Sequence, residues 1–229
     1  GPENEIFAKY SQMISIQEVR SSIIFDFEGI GISRASKTAP RPHMVGIFLP
    51  NNTGGSGKYK WTAFSESWGP ATNGSKKPAD TRNFSDFFLK HSLNMRERGG
   101  RLIHWSAHEA EILRIYLSTA DLEVVEALLY NVRIPAKKYL RRVKRLRSKG
   151  KSLEDFFSAM YQKRKPFPAL KIGAAESCRR IDSACAKNKK WGRFPTTQKE
   201  YVHDLIAYNE GDCRATWLIA KRLANSATD

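Results

Sequence analysis

Two acidic residues, Asp26 and Glu28, interrupt the otherwise apolar run SSIIFDFEGIG at residues 21–31. In a β-strand, residues i and i+2 point to the same side, so both carboxylates would face one way while Phe25 and Phe27 face the other. Two like charges this close together are unfavourable unless a proton or a cation lies between them. The pair therefore raises the question of whether a proton or a cation lies on this face of the strand.

Carboxylates recur at two later positions in similar settings. Glu109, in HWSAHEAEIL, opens a predicted helix after a predicted strand, where the helix dipole favours a negative charge. Tyr208 and Asp212, in AYNEGDCRAT, are four residues apart and would share one face of a late helix. Taken singly, these patterns fit a helix-start acid and an ordinary polar stripe. His104 and His108 lack a partner at ligand spacing, which favours a structural role for both.

Together the three motifs resemble those of the DnaQ-like 3′–5′ exonucleases of the ribonuclease-H-like superfamily, which are called DEDD nucleases after their four acids. The resemblance places the first motif on Asp26 and Glu28, and the second on Glu109, where the family usually has aspartate. The third motif, in its tyrosine-branch form, falls on Tyr208 and Asp212. The ending AYNEGDCRATW is similar to that of a poorly characterised group of this superfamily. The implied fold is α/β, a ribonuclease-H-like mixed sheet of about five strands flanked by helices.

The chemistry implied by the resemblance is phosphodiester hydrolysis with two divalent ions, Mg²⁺ or Mn²⁺, which prefer carboxylate oxygens and water as ligands. In our hypothesis Asp26 bridges both ions, Glu28 and Asp212 bind one, and Glu109 binds the other directly or through water. Tyr208 orients the attacking water or the phosphate. With an ordinary pKa near 10, a tyrosine is not an obvious general base.

Two other functions fit the same residues. A metal-dependent endonuclease on this fold would use the same acids and differ only in the shape of its cleft. A nucleic-acid-binding module with a decayed site is the second alternative, and the glutamate at position 109 keeps it open. The sequence does not distinguish DNA from RNA as the substrate.

The positive charge is concentrated in one part of the chain. The net charge is +16, and residues 133–193 carry 20 Lys and Arg against four acids, which accounts for the whole excess. The densest part, RIPAKKYLRRVKRLRSKGK, has apolar residues at helical spacing and predicts a basic helical insertion that follows a phosphate backbone. The predicted nucleic-acid contacts are Lys137, Lys138, Arg141, Arg142, Lys144, Arg145 and Arg147.

The elements that must position these residues follow from hydrophobic periodicity and turn residues. Strands are predicted at residues 21–28, 43–50, 59–67 and 101–106. Helices are predicted at about 83–97, 107–118, 121–130 and 198–225, with a mainly helical segment at 152–190. The composition of residues 68–80 predicts a loop.

The length of 229 residues fits a single nuclease domain, with residues 1–19 as an N-terminal extension and 133–193 as a basic, mainly helical segment. Three cysteines without CxxC spacing are typical of a reducing, cytoplasmic environment. The sequence shows no apolar run long enough to cross a membrane. A longer natural chain, or a helicase or nuclease partner, stays open.

Overall fold

A six-stranded mixed sheet forms the centre of the fold. The computed structural model describes residues 14–31, 39–50, 56–142, 150–163 and 169–226. The strands, β1 to β6 in chain order, are Ile23–Glu28, Met44–Leu49, Lys58–Ala63, Ala79–Thr81, Leu102–His104 and Leu129–Asn131. They lie side by side in the order β4-β3-β2-β1-β5-β6. The pairs β1–β2 and β2–β3 are antiparallel, whereas β1–β5, β5–β6 and β3–β4 are parallel.

Helices cover both faces of this sheet. In chain order, α1 to α9 are Ile16–Ser21, Gly69–Asn73, Phe84–Arg98, Ala107–Tyr116, Thr119–Glu126, Arg133–Arg142, Leu153–Tyr161, Ala174–Lys187 and Thr196–Ser226. Short 3₁₀ turns lie at Glu66–Trp68 and Trp191–Arg193. Within the described part of the chain, none of these helices is both long and apolar enough to cross a membrane.

The alternation of the strands separates two hydrophobic cores. Ile24 and Phe48 point toward the face that α9 covers, together with Leu205 of that helix. Phe25 and Val45 point to the opposite face, which is covered by α3, α4 and α5. Strands that are apolar on both sides are expected in a sheet covered on both faces. The predicted orientation of β1 is therefore confirmed.

Local signals place several helix ends where the sequence predicts them. Helix α3 begins after Asn83, whose side chain accepts hydrogen bonds from two backbone N–H groups of the first turn, and ends at Gly99 with a φ of 68°. Glycine adopts this left-handed conformation without steric cost, which makes it a common helix terminator. Helix α9, at Thr196–Ser226, is one continuous helix, where the sequence predicts either one long helix or two joined helices from about 198 to 225.

Four predictions about the elements are wrong in detail. The sheet has six strands instead of about five. Residues 68–80, predicted as a loop, contain helix α2 and strand β4, and the helix predicted through residue 130 ends at Glu126, before strand β6. The third strand ends at Ala63. Strands β4 and β6 lie at the two edges of the sheet and have only half-buried residues, whereas the equally short β5 is fully buried and was predicted.

His91 of α3 is buried on the face opposite α9, with its ring centroid 4.4 Å from that of Phe87. Its Nδ1 has no hydrogen-bond partner among the described residues. Burial, together with the nearby charges of Lys60 and Lys90, lowers the pKa of His91 to about 4. The folded protein therefore keeps this imidazole neutral at pH values where the unfolded chain protonates it.

We expect the free energy of unfolding to fall as the pH is lowered below about 6.5. The unfolded chain binds a proton there that the folded His91 accepts only near pH 4. At about 1.36 kcal/mol per pH unit, this group alone removes about 2 kcal/mol between pH 6.5 and pH 5. Urea unfolding of the wild type and of His91→Phe at both pH values measures the difference. Equal losses in the two proteins would contradict the assignment.

Candidate metal centre

Strand β1 presents Asp26 and Glu28 on the face that α9 covers. The strand lies in the middle of the sheet, with Asp26 opposite Gly46 and Glu28 opposite Met44 of β2. The two phenylalanines of the same strand point to the other face, where they pack with α3. Glu28 is buried and Asp26 is half-buried.

Helix α9 brings Asp212 to the same place. Asp26, Glu28 and Asp212 each offer one carboxylate oxygen, and these three oxygens lie within 4.8 Å of one another. The first two acids and the third are separated by more than 180 residues in the chain, so only the packing of α9 on β1 unites them. Three of the four predicted acidic ligands therefore form one group, with spacing that suits a shared cation.

The clustering of these acids is electrostatically costly without a cation. The pKa of Asp26 is raised well above its ordinary value, first by burial and then by the charges of Glu28, Asp212 and Glu109. Both causes disfavour the ionised carboxylate. A bound divalent cation would have the opposite effect, because it favours the charged form of each carboxylate that faces it.

The fourth predicted acid, Glu109, caps its own helix. It is buried, and its Oε2 accepts hydrogen bonds from the backbone N–H of Ser106 at 3.1 Å and from its hydroxyl at 2.8 Å. Burial alone raises the pKa of Glu109, but the neighbouring His104 and the bonds from Ser106 outweigh it and lower the pKa. Glu109 is therefore held in its ionised form at the start of α4.

Glu109 is not a member of the three-acid group among the described residues. Its charge still contributes to the raised pKa of Asp26, so it lies within electrostatic reach of the group. The prediction that it opens a helix is confirmed, and its role as a metal ligand stays a prediction. His104 is buried with its Nδ1 2.6 Å from the carbonyl oxygen of Ser106, which fits the predicted structural role. His108 is exposed.

Tyr208 lies one helical turn before Asp212 on α9 and is half-buried. The pKa of its hydroxyl is raised, first by burial and then by the negative charges of Asp212, Glu28 and Asp26. Tyr208 is therefore a protonated hydrogen-bond donor at neutral pH, close to the three acids. The predicted orienting role of Tyr208 stays a prediction.

Asn209, which the sequence analysis did not single out, lies between the acids. Its side-chain Nδ2 donates to Asp26 Oδ2 at 3.0 Å and to Glu28 Oε1 at 3.1 Å. The residue is fully buried. Its position three residues before Asp212, hence on a neighbouring part of the same helix face, was the available signal.

A second polar cluster anchors helix α8 next to the acids. His43 donates its backbone N–H to the carbonyl oxygen of Glu28 at 2.8 Å, and its Nε2 lies 2.7 Å from Asp182 Oδ2. The other oxygen of Asp182 accepts a hydrogen bond from Trp68 Nε1 at 2.7 Å. These contacts fix α8 against the end of β1 and so support the position of Glu28.

The predicted basic surface begins on helix α6. Lys137, Arg141 and Arg142 are exposed, and Lys138 is half-exposed. The opposite side of the helix buries Tyr139 and its apolar neighbours against the core that α9 shares. The remaining predicted contacts, Lys144, Arg145 and Arg147, lie outside the described residues.

Helix α6 packs against the C-terminal half of α9. The guanidinium of Arg222 lies 5.1 Å from the ring centroid of Tyr161 and is hydrogen-bonded to Tyr139 of α6. Arg222 follows Asp212 by ten residues, or about 15 Å along a helix axis at about 1.5 Å per residue. The helix that carries the basic residues therefore packs on the same helix, α9, that carries Asp212.

No known protein-family model matches this chain, and a search of curated proteins finds no match either.

Proposed function

We propose that this protein is a metal-dependent nuclease that hydrolyses phosphodiester bonds of DNA or RNA, most simply as a DnaQ-like 3′–5′ exonuclease of the tyrosine branch. The observation that carries the proposal is the meeting of Asp26, Glu28 and Asp212, with carboxylate oxygens within 4.8 Å of one another. The α/β mixed sheet flanked by helices is compatible with a ribonuclease-H-like arrangement.

The donor set fits divalent ions of the Mg²⁺ or Mn²⁺ type. All three clustered side chains offer hard oxygen donors, which these ions prefer over thiolate or imidazole. The raised pKa of Asp26 indicates that the site favours binding of a positive charge, a proton or a metal ion. When bound, a pair of such ions activates water and neutralises charge on the leaving oxygen.

The protein's own residues would divide the remaining work. Asp26, Glu28 and Asp212 would hold the ions, and Glu109, at the start of α4, would contribute directly or through a water. Tyr208, whose side chain is hydrogen-bonded to that of Asp212, would help to orient the attacking water or the phosphate. The basic surface of α6 holds the substrate strand by its phosphates.

Linear and closed circular single strands, of DNA and of RNA, test the proposal in one assay. With Mg²⁺ or Mn²⁺ present, we expect the unprotected linear strand to be degraded from its 3′ end. The 3′-protected strand should be shortened differently, and the circle should stay whole. Cleavage of the circle would instead identify an endonuclease. Binding of all strands without cleavage in either metal would favour the non-catalytic module.

Removing charge from α6 should weaken binding in a salt-dependent manner. The triple variant Lys137→Ala, Arg141→Ala, Arg142→Ala removes three exposed cations. If each cation neutralises one phosphate, the magnitude of the slope of log affinity against log salt concentration should decrease by about 0.7–0.9 for each cation removed. Fluorescence anisotropy with a catalytically inactive background over a salt series measures the slope.

A matched control removes three exposed cations from the opposite side of the sheet. Lys90, Arg96 and Arg98 lie on α3, which packs on the face away from α9. Alanine at these positions lowers the net charge by the same amount and should leave the salt slope close to that of the wild type. Equal loss in both triple variants would show that binding depends on net charge and not on α6.

A further inference from the structure

The side-chain amide of Asn209 lies where helix α9 meets strands β1, β2 and β3. Its Nδ2 contacts one oxygen of Asp26, one oxygen of Glu28 and, at 3.3 Å, the backbone carbonyl oxygen of Asp26. A single amide group thus spans both acids of the first motif. If the amide served only to hold α9 on the sheet, a hydrogen bond to one of these acceptors would be enough.

The orientation of this amide is fixed from the other side. The hydroxyl of Tyr59 on β3 donates a hydrogen bond to Asn209 Oδ1 at 2.8 Å, and both residues are buried. With Oδ1 held by a donor, the two hydrogens of Nδ2 must face the carboxylates. The reverse orientation would place Oδ1 against two carboxylate oxygens, which repel it.

Strand β2 makes room for the amide with a glycine. A Cβ atom at Gly46 would lie 1.6 Å from Asn209 Oδ1 and 2.6 Å from the hydroxyl of Tyr59. Gly46 is paired with Asp26 across the β1–β2 ladder. Any larger residue at this position would therefore displace the amide from the acids, because the space is already filled.

We propose that Asn209 is a positioning residue, which sets the orientation of the Asp26 and Glu28 carboxylates for metal binding and is itself held by Tyr59 and Gly46. The inference rests on the proposed metal site. By binding one oxygen of each acid, the amide limits the rotation of both carboxylates and so sets the direction in which their oxygens face a cation. Groups that orient metal ligands in this manner typically account for about 10–100-fold in metal affinity or activity.

The isosteric variant Asn209→Leu tests this role, because leucine has nearly the same shape but no donor. We expect its Kd for Mn²⁺, measured by electron paramagnetic resonance without substrate, to rise about 10–100-fold. Tyr59→Phe removes only the hydroxyl that orients the amide and should raise the Kd by a smaller factor. If Asn209→Leu does not fold by circular dichroism, Tyr59→Phe decides: an unchanged Kd would then overturn the proposal.

Thr62→Val supplies the matched structural control. Thr62 lies on the same strand as Tyr59, is buried, and hydrogen-bonds to Asp80, away from the acids. Its replacement should lower the melting temperature and leave the Kd for Mn²⁺ unchanged. A Kd that rises equally in Thr62→Val would show that general destabilisation, and not the amide, weakens metal binding.

A mutant cycle with Gly46→Ala adds a test of the coupling. The single variant should raise the Kd because the new methyl group displaces the amide. In a background of Asn209→Ala with Tyr59→Phe, which removes both the amide and the hydroxyl that this methyl group would meet, adding Gly46→Ala should raise the Kd for Mn²⁺ no further. Additive losses would contradict the proposal.

The outcomes separate this inference from the proposed function. Tight Mn²⁺ binding by the wild type, with equal affinity in a folded Asn209→Leu variant, would leave the nuclease proposal intact and overturn the positioning role. Absence of Mn²⁺ binding by the wild type would overturn both.

Discussion

Replacing Asp26 by asparagine is expected to lower the cleavage rate by about a thousandfold or more. The carboxylate of Asp26 lies together with those of Glu28 and Asp212, so its loss removes the shared ligand of the proposed metal centre. A loss of about 4 kcal/mol of transition-state stabilisation, within the several kcal/mol that such centres supply, corresponds to this factor. Initial rates on a labelled single strand in saturating Mn²⁺ measure the effect, and Asp212→Asn should behave in the same manner.

The same substitution should not destabilise the metal-free protein. Burial and the neighbouring acids raise the pKa of Asp26, so its ionised form is unfavourable in the folded state. A neutral amide relieves that repulsion. A melting temperature at or above that of the wild type in the presence of a chelator, together with lost cleavage, would be the expected combination.

Glu210→Gln is the matched control on the same helix. Glu210 lies two residues before Asp212 but faces away from the acids, and its Oε1 accepts from Arg214 Nη2 at 2.9 Å. Its Oε2 lies 3.0 Å from Lys77 Nζ. This variant removes one negative charge from α9 without touching the site and should cleave at close to the wild-type rate. Wild-type cleavage by both Asp26→Asn and Asp212→Asn would refute the nuclease assignment.

Mn²⁺ is expected to raise the melting temperature of the wild type by about 5–10 °C. A ligand that binds only the folded state at about 100 times its Kd adds about 2.7 kcal/mol to the free energy of unfolding. For a domain of this size, each kcal/mol corresponds to about 2–4 °C. The effect should be large here because the ion replaces repulsion among Asp26, Glu28 and Asp212 with attraction.

Chelation and mutation should each remove this stabilisation. Differential scanning fluorimetry in Mn²⁺, in Mg²⁺ and in excess chelator measures the shift, and Asp26→Asn in Mn²⁺ should melt as it does in chelator. Glu210→Gln should retain the full shift, because its carboxylate pairs with cationic side chains away from the acids. An identical shift in Asp26→Asn would place the bound ion somewhere else.

The spacing of nearby residues in the sequence was enough to predict several features of this structure. The alternation of a strand fixed the common face of Asp26 and Glu28, and the pitch of a helix fixed that of Tyr208 and Asp212. The asparagine cap and the glycine end of α3 are likewise properties of a few adjacent residues. Such features follow from backbone geometry over one or two turns, so that the sequence alone predicts them.

The short elements escaped prediction because their stability comes from their neighbours. Strands β4 and β6 contain three residues each and pair with strands that are already in place. Both are half-buried edge segments of mixed polarity, so their composition gives a weaker strand signal than that of the equally short but fully buried β5. The sequence around residue 130 therefore predicted a single helix through that residue, whereas the structure has helix α5 followed by strand β6.

Only the tertiary structure decided how the site is assembled. It brought Asp212 to Asp26, kept Glu109 at its helix cap, and placed the amide of Asn209 between a tyrosine and a glycine from two other strands. Tyr59 and Asn209 are 150 residues apart. The chain's local preferences specify each element separately, whereas the meeting of their side chains depends on how α9 packs across the sheet, which no local spacing encodes.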